Sequence, residues 1–249
     1  MLIIRNKMET LGIDVGGSGI KGTIVNTKTG EFVTERHRIK TPQPATPEVI
    51  AETIQKIVAH FKWKGKVGCG FPAVIQNGII KTAANIDQSC IGVNANKLFS
   101  EITKCPVKVF NDADAAGFAE LNFGGGKNFK GLAIFLTIGT GIGSAIFNQG
   151  QLIPNSELGH IYIKNGLKGE KFASDAVRKK EDLSWDDWAK RFNEYLQYLE
   201  KLFYPDLFII GGGTSKKFDK FESTLSLKTP VQPAQLLNNA GIIGAALLA

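Results

Sequence analysis

The stretch Gly12-Ile-Asp-Val-Gly-Gly-Ser-Gly-Ile-Lys-Gly-Thr-Ile-Val-Asn26 decides how this 249-residue chain is read. Leu11–Val15 is an apolar, β-type run, Gly16-Gly17-Ser18-Gly19 is a turn, and Lys21–Val25 leaves as a second strand. Gly17 to Gly22 fits the GxGxxG fingerprint of dinucleotide sites, which requires a helix to follow. Thr23-Ile-Val-Asn-Thr27 is β-branched and runs into a turn, so that reading fails its own structural test. No GxxxxGK[ST] loop occurs either. What remains is a hairpin whose backbone N–H groups can form an anion-binding concavity, or a tight hairpin with no ligand at all. A second copy weighs against the bare hairpin. Phe135-Leu-Thr-Ile-Gly-Thr-Gly-Ile-Gly-Ser-Ala-Ile-Phe-Asn148 repeats the strand, the Gly/Thr turn, the second strand and the closing Asn. Two such hairpins half a chain apart predict a duplicated α/β fold with a cleft between its halves.

Glycine is enriched around the same places. The chain has 28 glycines in 249 residues, against an average of roughly 7%. They gather at Gly12–Gly19, Gly124–Gly126, Gly139–Gly143 and Gly211–Gly213, and three of these four clusters follow an apolar strand-like run. Glycine there lets backbone approach a ligand closely.

The rest of the composition excludes several classes. Hydrophobic residues make up 43% and charged residues 21%, an ordinary globular balance. The length accommodates two domains or one large one. Three cysteines, Cys69, Cys90 and Cys105, give neither a disulfide framework nor a CxxC metal site and point to a reducing compartment, the cytoplasm. The N-terminal residues carry Arg5, Lys7 and Glu9 and do not read as a secretory signal. Gly131–Ser156 has no charge, yet its glycines and threonines fit two strands and a turn better than a membrane span. Net charge is +7. Lys164, Lys168, Lys171, Arg178, Lys179 and Lys180 concentrate part of it, either as a solvated face or as an attractor of polyanions. No nucleic-acid motif accompanies them, so nucleic acid is not the expected partner.

Pattern places strands at Glu31–Ile39, Val67–Phe71, Ile79–Thr82, Val107–Phe110, Leu132–Thr137, Ser144–Phe147 and Asp206–Ile210. Helices are expected at Pro47–Phe61, Asn96–Lys104, Asp112–Asn122, Ser174–Lys180 and Trp185–Phe203, with a final apolar helix inside Pro233–Ala249. Trp185, Trp188, Phe192, Tyr195, Leu196 and Leu199 fall at helical spacing and read as a core stripe.

Candidate site residues follow from position. Asp14, just before the first Gly turn, is placed to hold Mg²⁺ directly or through water, although a lone strand Asp can equally be a paired polar residue. Asn111-Asp112 ends a strand and opens a helix, so it is either an N-cap or a general base at a strand's carboxyl end. Glu157 and His160, with Asn85, Asn111 and Asp112, supply the hydrogen-bonding groups that sugar hydroxyls require, while His160 alone could be purely structural.

Together, Asp14-Val-Gly-Gly-Ser-Gly-Ile-Lys21, Asn111-Asp112-Ala-Asp, Gly139-Thr140-Gly141 and Glu157-Leu-Gly-His160 resemble the ROK family of sugar kinases. Further segments are similar to its polyphosphate-using branch, the polyphosphate glucokinases and polyphosphate/ATP glucomannokinases. They are Thr41–Pro47, Gly68-Cys-Gly-Phe-Pro72, Thr82–Asp87, Asn111–Gly117, Pro154–His160, Arg178–Trp185 and Pro205–Gly213, spread over nearly the whole chain.

The resemblance implies a two-lobed actin-like (RNase H-like) ATPase fold with a central interlobe cleft. One lobe would span 1–112 with 237–249 packed back on it, the other 113–236. It implies phosphoryl transfer from polyphosphate, and from ATP, to the 6-hydroxyl of glucose. Asp112 would be the base, and Asn85, Asn111, Glu157 and His160 would orient the sugar. Gly16, Gly17, Ser18, Lys21, Gly139, Thr140 and Gly141 would hold phosphates, Gly211, Gly212 and Gly213 adenosine, and Asp14 the Mg²⁺. Homodimers are common in the family, and mannose is an alternative acceptor.

Two departures stand out. Many members carry a Cys-rich zinc motif after the Gly-His pair, but Ile161–Asp182 has no Cys, so no zinc site is expected. Cys90 stands where this branch leads one to expect an aromatic residue nearby. The family's repressors carry an N-terminal DNA-binding domain, and with about ten residues ahead of the first strand a repressor is not expected. The rivals are an ATP-only hexokinase for mannose or an N-acetyl hexosamine, and a catalytically silent sugar- or polyphosphate-binding protein.

Overall fold

A computed structural model describes residues 8–84 and 86–249. Its strands are β1 (Glu9–Gly16), β2 (Gly19–Asn26), β3 (His37–Ile39), β4 (Val67–Phe71), β5 (Ile75–Gln76), β6 (Ile79–Ile80), β7 (Val107–Asn111), β8 (Leu132–Ile138), β9 (Ile142–Asn148), β10 (Gln151–Ile153), β11 (Leu207–Gly212) and β12 (Val231–Pro233). Its α-helices are α1 (Pro47–His60), α2 (Ala95–Thr103), α3 (Asp112–Phe123), α4 (Gly169–Ala173), α5 (Asp175–Lys180), α6 (Trp185–Phe203) and α7 (Ala240–Leu248). Two units divide the chain. The first runs up to Ala119 and takes back Asn239–Ala249; the second is Glu120–Asn238.

Each unit is built on one five-stranded sheet, and the two sheets have the same plan. The orders are β3-β2-β1-β4-β7 and β10-β9-β8-β11-β12. In both, three strands are an antiparallel meander and the outer two run parallel to the central one. The hairpins expected as internal copies, β1–β2 and β8–β9, occupy equivalent positions in the two orders. Parallel strands carry their functional loops at the carboxyl ends, which selects the β1–β2 turn, the end of β7, the β8–β9 turn and the end of β11.

In the first unit, Leu11, Ile13, Val15, Val67, Cys69 and Val109 are buried against Ile50, Ile54, Ile57 and Val58 of α1. That helix starts as the sequence predicts, with Thr46 as N-cap and Pro47 in its first turn. The apolar α7 packs on the same sheet, backbone against backbone. A Cβ on Gly12 would meet the Ile242 carbonyl, one on Gly68 the Ala245 carbonyl, and one on Gly244 the Ala115 carbonyl. In the second unit, Trp188, Phe192, Tyr195, Leu196 and Leu199 of α6 are fully buried with Ile134, Leu136, Phe208 and Ile210, as the stripe requires.

Two strands are shorter than the pattern predicts. Of Glu31–Ile39 only His37–Ile39 is strand. Between it and an isolated Val25–Phe32 bridge, side chains interrupt the ladder: Thr23 Oγ1 donates to the Thr34 carbonyl at 2.7 Å, and Ile24 N donates to Thr34 Oγ1 at 3.2 Å. Ile79–Thr82 shrinks to Ile79–Ile80, paired with Ile75–Gln76 and bridged to Asn94, while Thr82 Oγ1 accepts from Val74 N. The short α4, β10 and β12 carry too few residues to show a period.

Candidate active site

In the first unit the β1–β2 turn is two residues, Gly17-Ser18, closed by the Gly16–Gly19 pair. A Cβ on Gly17 would meet nothing within 4 Å. Neither packing nor a left-handed φ therefore requires glycine there, and the backbone of the turn is left uncovered by any side chain of its own. Thr41 Oγ1 donates to the Gly16 carbonyl at 2.5 Å, and Arg38 Nη2 to the Ser18 carbonyl at 2.8 Å, so the carbonyls of the turn are tied back.

Asp14 and Lys21 face each other across β1 and β2, with Nζ 3.5 Å from Oδ2. Burial raises the Asp14 carboxyl above its ordinary range, and Lys21 and Arg36 draw it part of the way back. A cation beside Asp14 would favour its ionised form further.

Asn111, at the end of β7, is the N-cap of α3. Its Oδ1 accepts from Ala113 N at 2.9 Å and Asp114 N at 3.0 Å, and its Nδ2 donates to the Ala73 carbonyl at 3.1 Å. The capping alternative is thus realised in Asn111, whose amide fixes the first turn of α3. Asp112, the first residue of that turn, is half-buried, and its Oδ1 accepts from Ala113 N at 2.8 Å. Asn85 lies outside the described residues. Cys90 is buried with its Sγ 3.6 Å from the Ala45 carbonyl, and burial pushes its thiol up to about 11.

The β8–β9 turn of the second unit is Gly139-Thr140-Gly141, with Gly139 N donating to the Gly141 carbonyl. A Cβ on Gly139 would again meet nothing, as would one on Gly213 after β11. The neighbouring glycines have steric reasons instead. Gly212 has a φ of +77° against Ile138, and a Cβ on Gly211 would touch the Phe135 ring. Ala176 N at the start of α5 donates to the Gly139 carbonyl at 3.1 Å.

The turn carrying Glu157 and His160 is clamped onto β9. Ser144 Oγ donates to the Ser156 carbonyl at 2.6 Å and accepts from Leu158 N at 2.9 Å, while Gly159 sits against the Ile142 carbonyl. His160 Nδ1 lies 3.8 Å from Glu157 Oε2. Burial raises the Glu157 carboxyl; His160 opposes this and Glu170 adds to it. Glu170 opens α4, and its Oε2 would stand 2.6 Å from a Cβ on Gly141. Glu170 has no signature in its own lysine-rich segment; its place beside Gly141 and Glu157 is what marks it.

That stretch is largely neutralised. Lys164 pairs with Glu194 at 3.6 Å, Lys171 with Glu170 at 3.4 Å, and Arg178 and Lys179 with Asp175 at 2.8 and 2.7 Å. Arg178 also stacks 4.2 Å above the Trp185 ring.

Two sheets of one plan, each with a Gly-turn hairpin at an equivalent strand end, define an α/β protein of two like-built units. Residues 10–180 match the ROK family, and the chain belongs to it. It is 48% identical to a polyphosphate glucokinase of Mycobacterium tuberculosis over 237 residues, covering 95% of this chain and 89% of that one. Among solved structures, the inorganic polyphosphate/ATP-glucomannokinase of Arthrobacter sp. strain KM superposes with a TM-score of 0.92 at 44% identity, covering 97% and 98% of the two chains. A ROK family glucokinase from Streptomyces griseus, in complex with glucose and AMPPNP, gives 0.83 at 25% identity, covering 97% and 99%. ROK sugar kinases have the actin-like ATPase fold.

Proposed function

We propose that this ROK-family kinase transfers a phosphoryl group from inorganic polyphosphate, and from ATP, to the 6-hydroxyl of glucose. The observation that carries this is the pair of equivalently placed hairpins whose Gly17 and Gly139 have no steric or packing reason to be glycine. Phosphate oxygens on the turn N–H groups supply one. The high identity to a polyphosphate glucokinase supports the choice of donor and acceptor.

Asp112 takes the proton of the 6-hydroxyl as its oxygen bonds to the terminal phosphorus, and the bond from that phosphorus to the donor breaks. The products are glucose 6-phosphate and a donor shorter by one phosphate. Asn111 sets the first turn of α3 and so the place of Asp112. Asn85, Glu157, His160 and, near Glu157 in the second unit, Glu170 orient sugar hydroxyls. Gly16, Gly17, Ser18 and Lys21 hold phosphates on one hairpin and Gly139, Thr140 and Gly141 on the other. Gly211, Gly212 and Gly213 receive adenosine when ATP is the donor. Most of the acceleration in such a reaction is positioning and charge stabilisation.

Magnesium fits as an ion held chiefly by the donor. Among the described residues no three His, Cys, Asp or Glu side chains group to bind a metal, and Asp14 offers one carboxylate beside Lys21. Asp14 would reach the ion through water, and the ion would neutralise charge on the phosphate oxygens. The three cysteines are buried thiols rather than disulfides, which accords with a cytoplasmic protein. No helix among the described residues is long and apolar enough to cross a membrane. A homodimer is the proposed assembly, to be read from solution mass, and mannose is the second acceptor to assay.

The test is glucose 6-phosphate formation with Mg²⁺, comparing polyphosphate with ATP, in the wild type and Asp112→Asn. Loss of a general base lowers kcat by about 10²–10⁴-fold, with glucose binding retained. Turnover with ATP alone would restrict the donor. A wild type silent with both donors, on glucose and on mannose, would leave a sugar- or polyphosphate-binding protein.

A further inference from the structure

The cross-strand register puts three charged residues in one row. Asp14 lies opposite Lys21, and Lys21 opposite Arg38 on the edge strand β3. Directly opposed residues of antiparallel strands project from the same face. Arg38 Nη2 donates to the Ser18 carbonyl at 2.8 Å, and a Cβ on Gly19 would fall 2.5 Å from Arg38 Nε. The guanidinium thus lies along the backbone of the phosphate-binding turn, and Gly19 makes room for it.

This cation is only partly used. A guanidinium has five N–H donors, and the Ser18 carbonyl takes one. Arg38 is exposed and has no carboxylate partner among the described residues. Arg36, two residues earlier, is near enough to act on the Asp14 carboxyl and has no carboxylate partner there either. A brace for one carbonyl needs a donor but no charge. A fixed charge with unspent donors at the edge of a phosphate turn suits further phosphate oxygens, for which Arg is the favoured side chain.

The two donors differ at that point. Beyond its phosphates ATP continues as a nucleoside, whereas polyphosphate continues as an anion. We propose that Arg38, assisted by Arg36, is a subsite for the polyphosphate chain beyond the phosphates held by the β1–β2 turn, and so a determinant of donor preference. This rests on polyphosphate being a donor, as proposed above.

The experiment pairs binding with turnover. End-labelled polyphosphate is titrated into the full-length protein without sugar and read by anisotropy. KM is measured in parallel for polyphosphate and ATP, in the wild type, Arg38→Gln, Arg38→Lys and Arg36→Gln. Loss of one charge-assisted contact predicts a rise of about tenfold in the Kd and KM for polyphosphate with Arg38→Gln. The KM for ATP rises by a smaller factor, and Arg38→Lys recovers part of the loss. Should Arg38→Gln melt early, Arg36→Gln, on which the turn does not lean, must show the same preferential rise. Equal changes for both donors, with the Kd for labelled polyphosphate unmoved, reduce Arg38 to a brace and overturn the subsite alone. A wild type that neither binds nor uses polyphosphate overturns the donor assignment itself, and the subsite with it.

Discussion

Gly17 separates folding from chemistry within one residue. Its Cβ position is empty and its φ lies outside the glycine-favouring region, so Gly17→Ala should not unfold the protein. Restricting the unfolded chain predicts instead a gain of up to about 1 kcal/mol, read as a raised midpoint of thermal unfolding. If phosphates lie on this surface, as proposed, a methyl group there should raise the donor KM about tenfold or more. A variant that is less stable and unaltered in donor KM would mean the turn is only a turn. Glu157 makes a pH prediction. Burial raises its carboxyl above the ordinary value of 4.5, with His160 opposing and Glu170 reinforcing. If the ionised group accepts from sugar hydroxyls, the KM for glucose climbs on acidification while the pH is still above 4.5, and Glu157→Gln removes that limb. For stability the sign is the reverse of an ion-paired acid. The native state keeps the proton where the unfolded chain has lost it, so this residue's contribution declines as pH rises from 4.5 through the folded value. The Gln variant should therefore match or exceed the wild type in neutral-pH melting. Glu170 escaped sequence reading because its meaning is spatial: what marks it is the neighbourhood of Gly141 and Glu157, not its own segment.

Among the elements, those with long periods or explicit caps could be read directly from the residues. The Thr46-Pro47 start of α1 and the aromatic stripe of α6 are of this kind. The edge segments could not, because side-chain bonds such as Thr34 to Thr23 and Ile24 replace ladder bonds without changing the β-rich composition. Asn111-Asp112 was legible as a pair, but only the hydrogen bonds divide the work, giving the cap to Asn111. Edge strand β3 carries a device no pattern could reveal. His37 stacks on His60 of α1, ring centroids 3.8 Å apart and planes 8° from parallel, with Phe61 edge-on to both. Partial desolvation, and then the neighbouring His60, lower the His37 pKa from 6.5. The unfolded chain thus takes up its proton first as pH falls. The contribution of this stack is complete above 6.5 and is lost as pH drops through the folded value. The melting midpoint should fall more steeply below pH 6.5 in the wild type than in His60→Gln, where the second ring charge is gone. Parallel pH profiles for the two proteins would assign the acid limb to other groups.

At the scale of the whole molecule, duplication set two copies of one sheet plan to different charge environments. The net charge of +7 does not say where a polyanion is drawn, and lysine density points to 164–180 of the second unit. The ion pairs redirect it. Four of those six cations face Glu194, Glu170 or Asp175, leaving Lys168 and Lys180 without a carboxylate partner among the described residues. The lysines of these pairs are exposed and such pairs add little stability, while Arg178 is half-buried against the buried Asp175; each pair cancels the local field that an incoming anion would meet. In the first unit Arg36 and Arg38 keep their charge beside the Gly17-Ser18 turn. Since polyanion binding weakens with salt in proportion to the phosphates neutralised, the KM for polyphosphate should rise steeply between low and physiological ionic strength. The slope locates the charges responsible. Lys168→Gln with Lys180→Gln should leave it nearly as in the wild type, whereas Arg36→Gln with Arg38→Gln should flatten it by about the two contacts removed. If the lysine pair flattened it instead, the polymer would dock on the second unit and the lysine density would be the right guide after all. A response flat in the wild type would mean that the donor is held by backbone and metal alone.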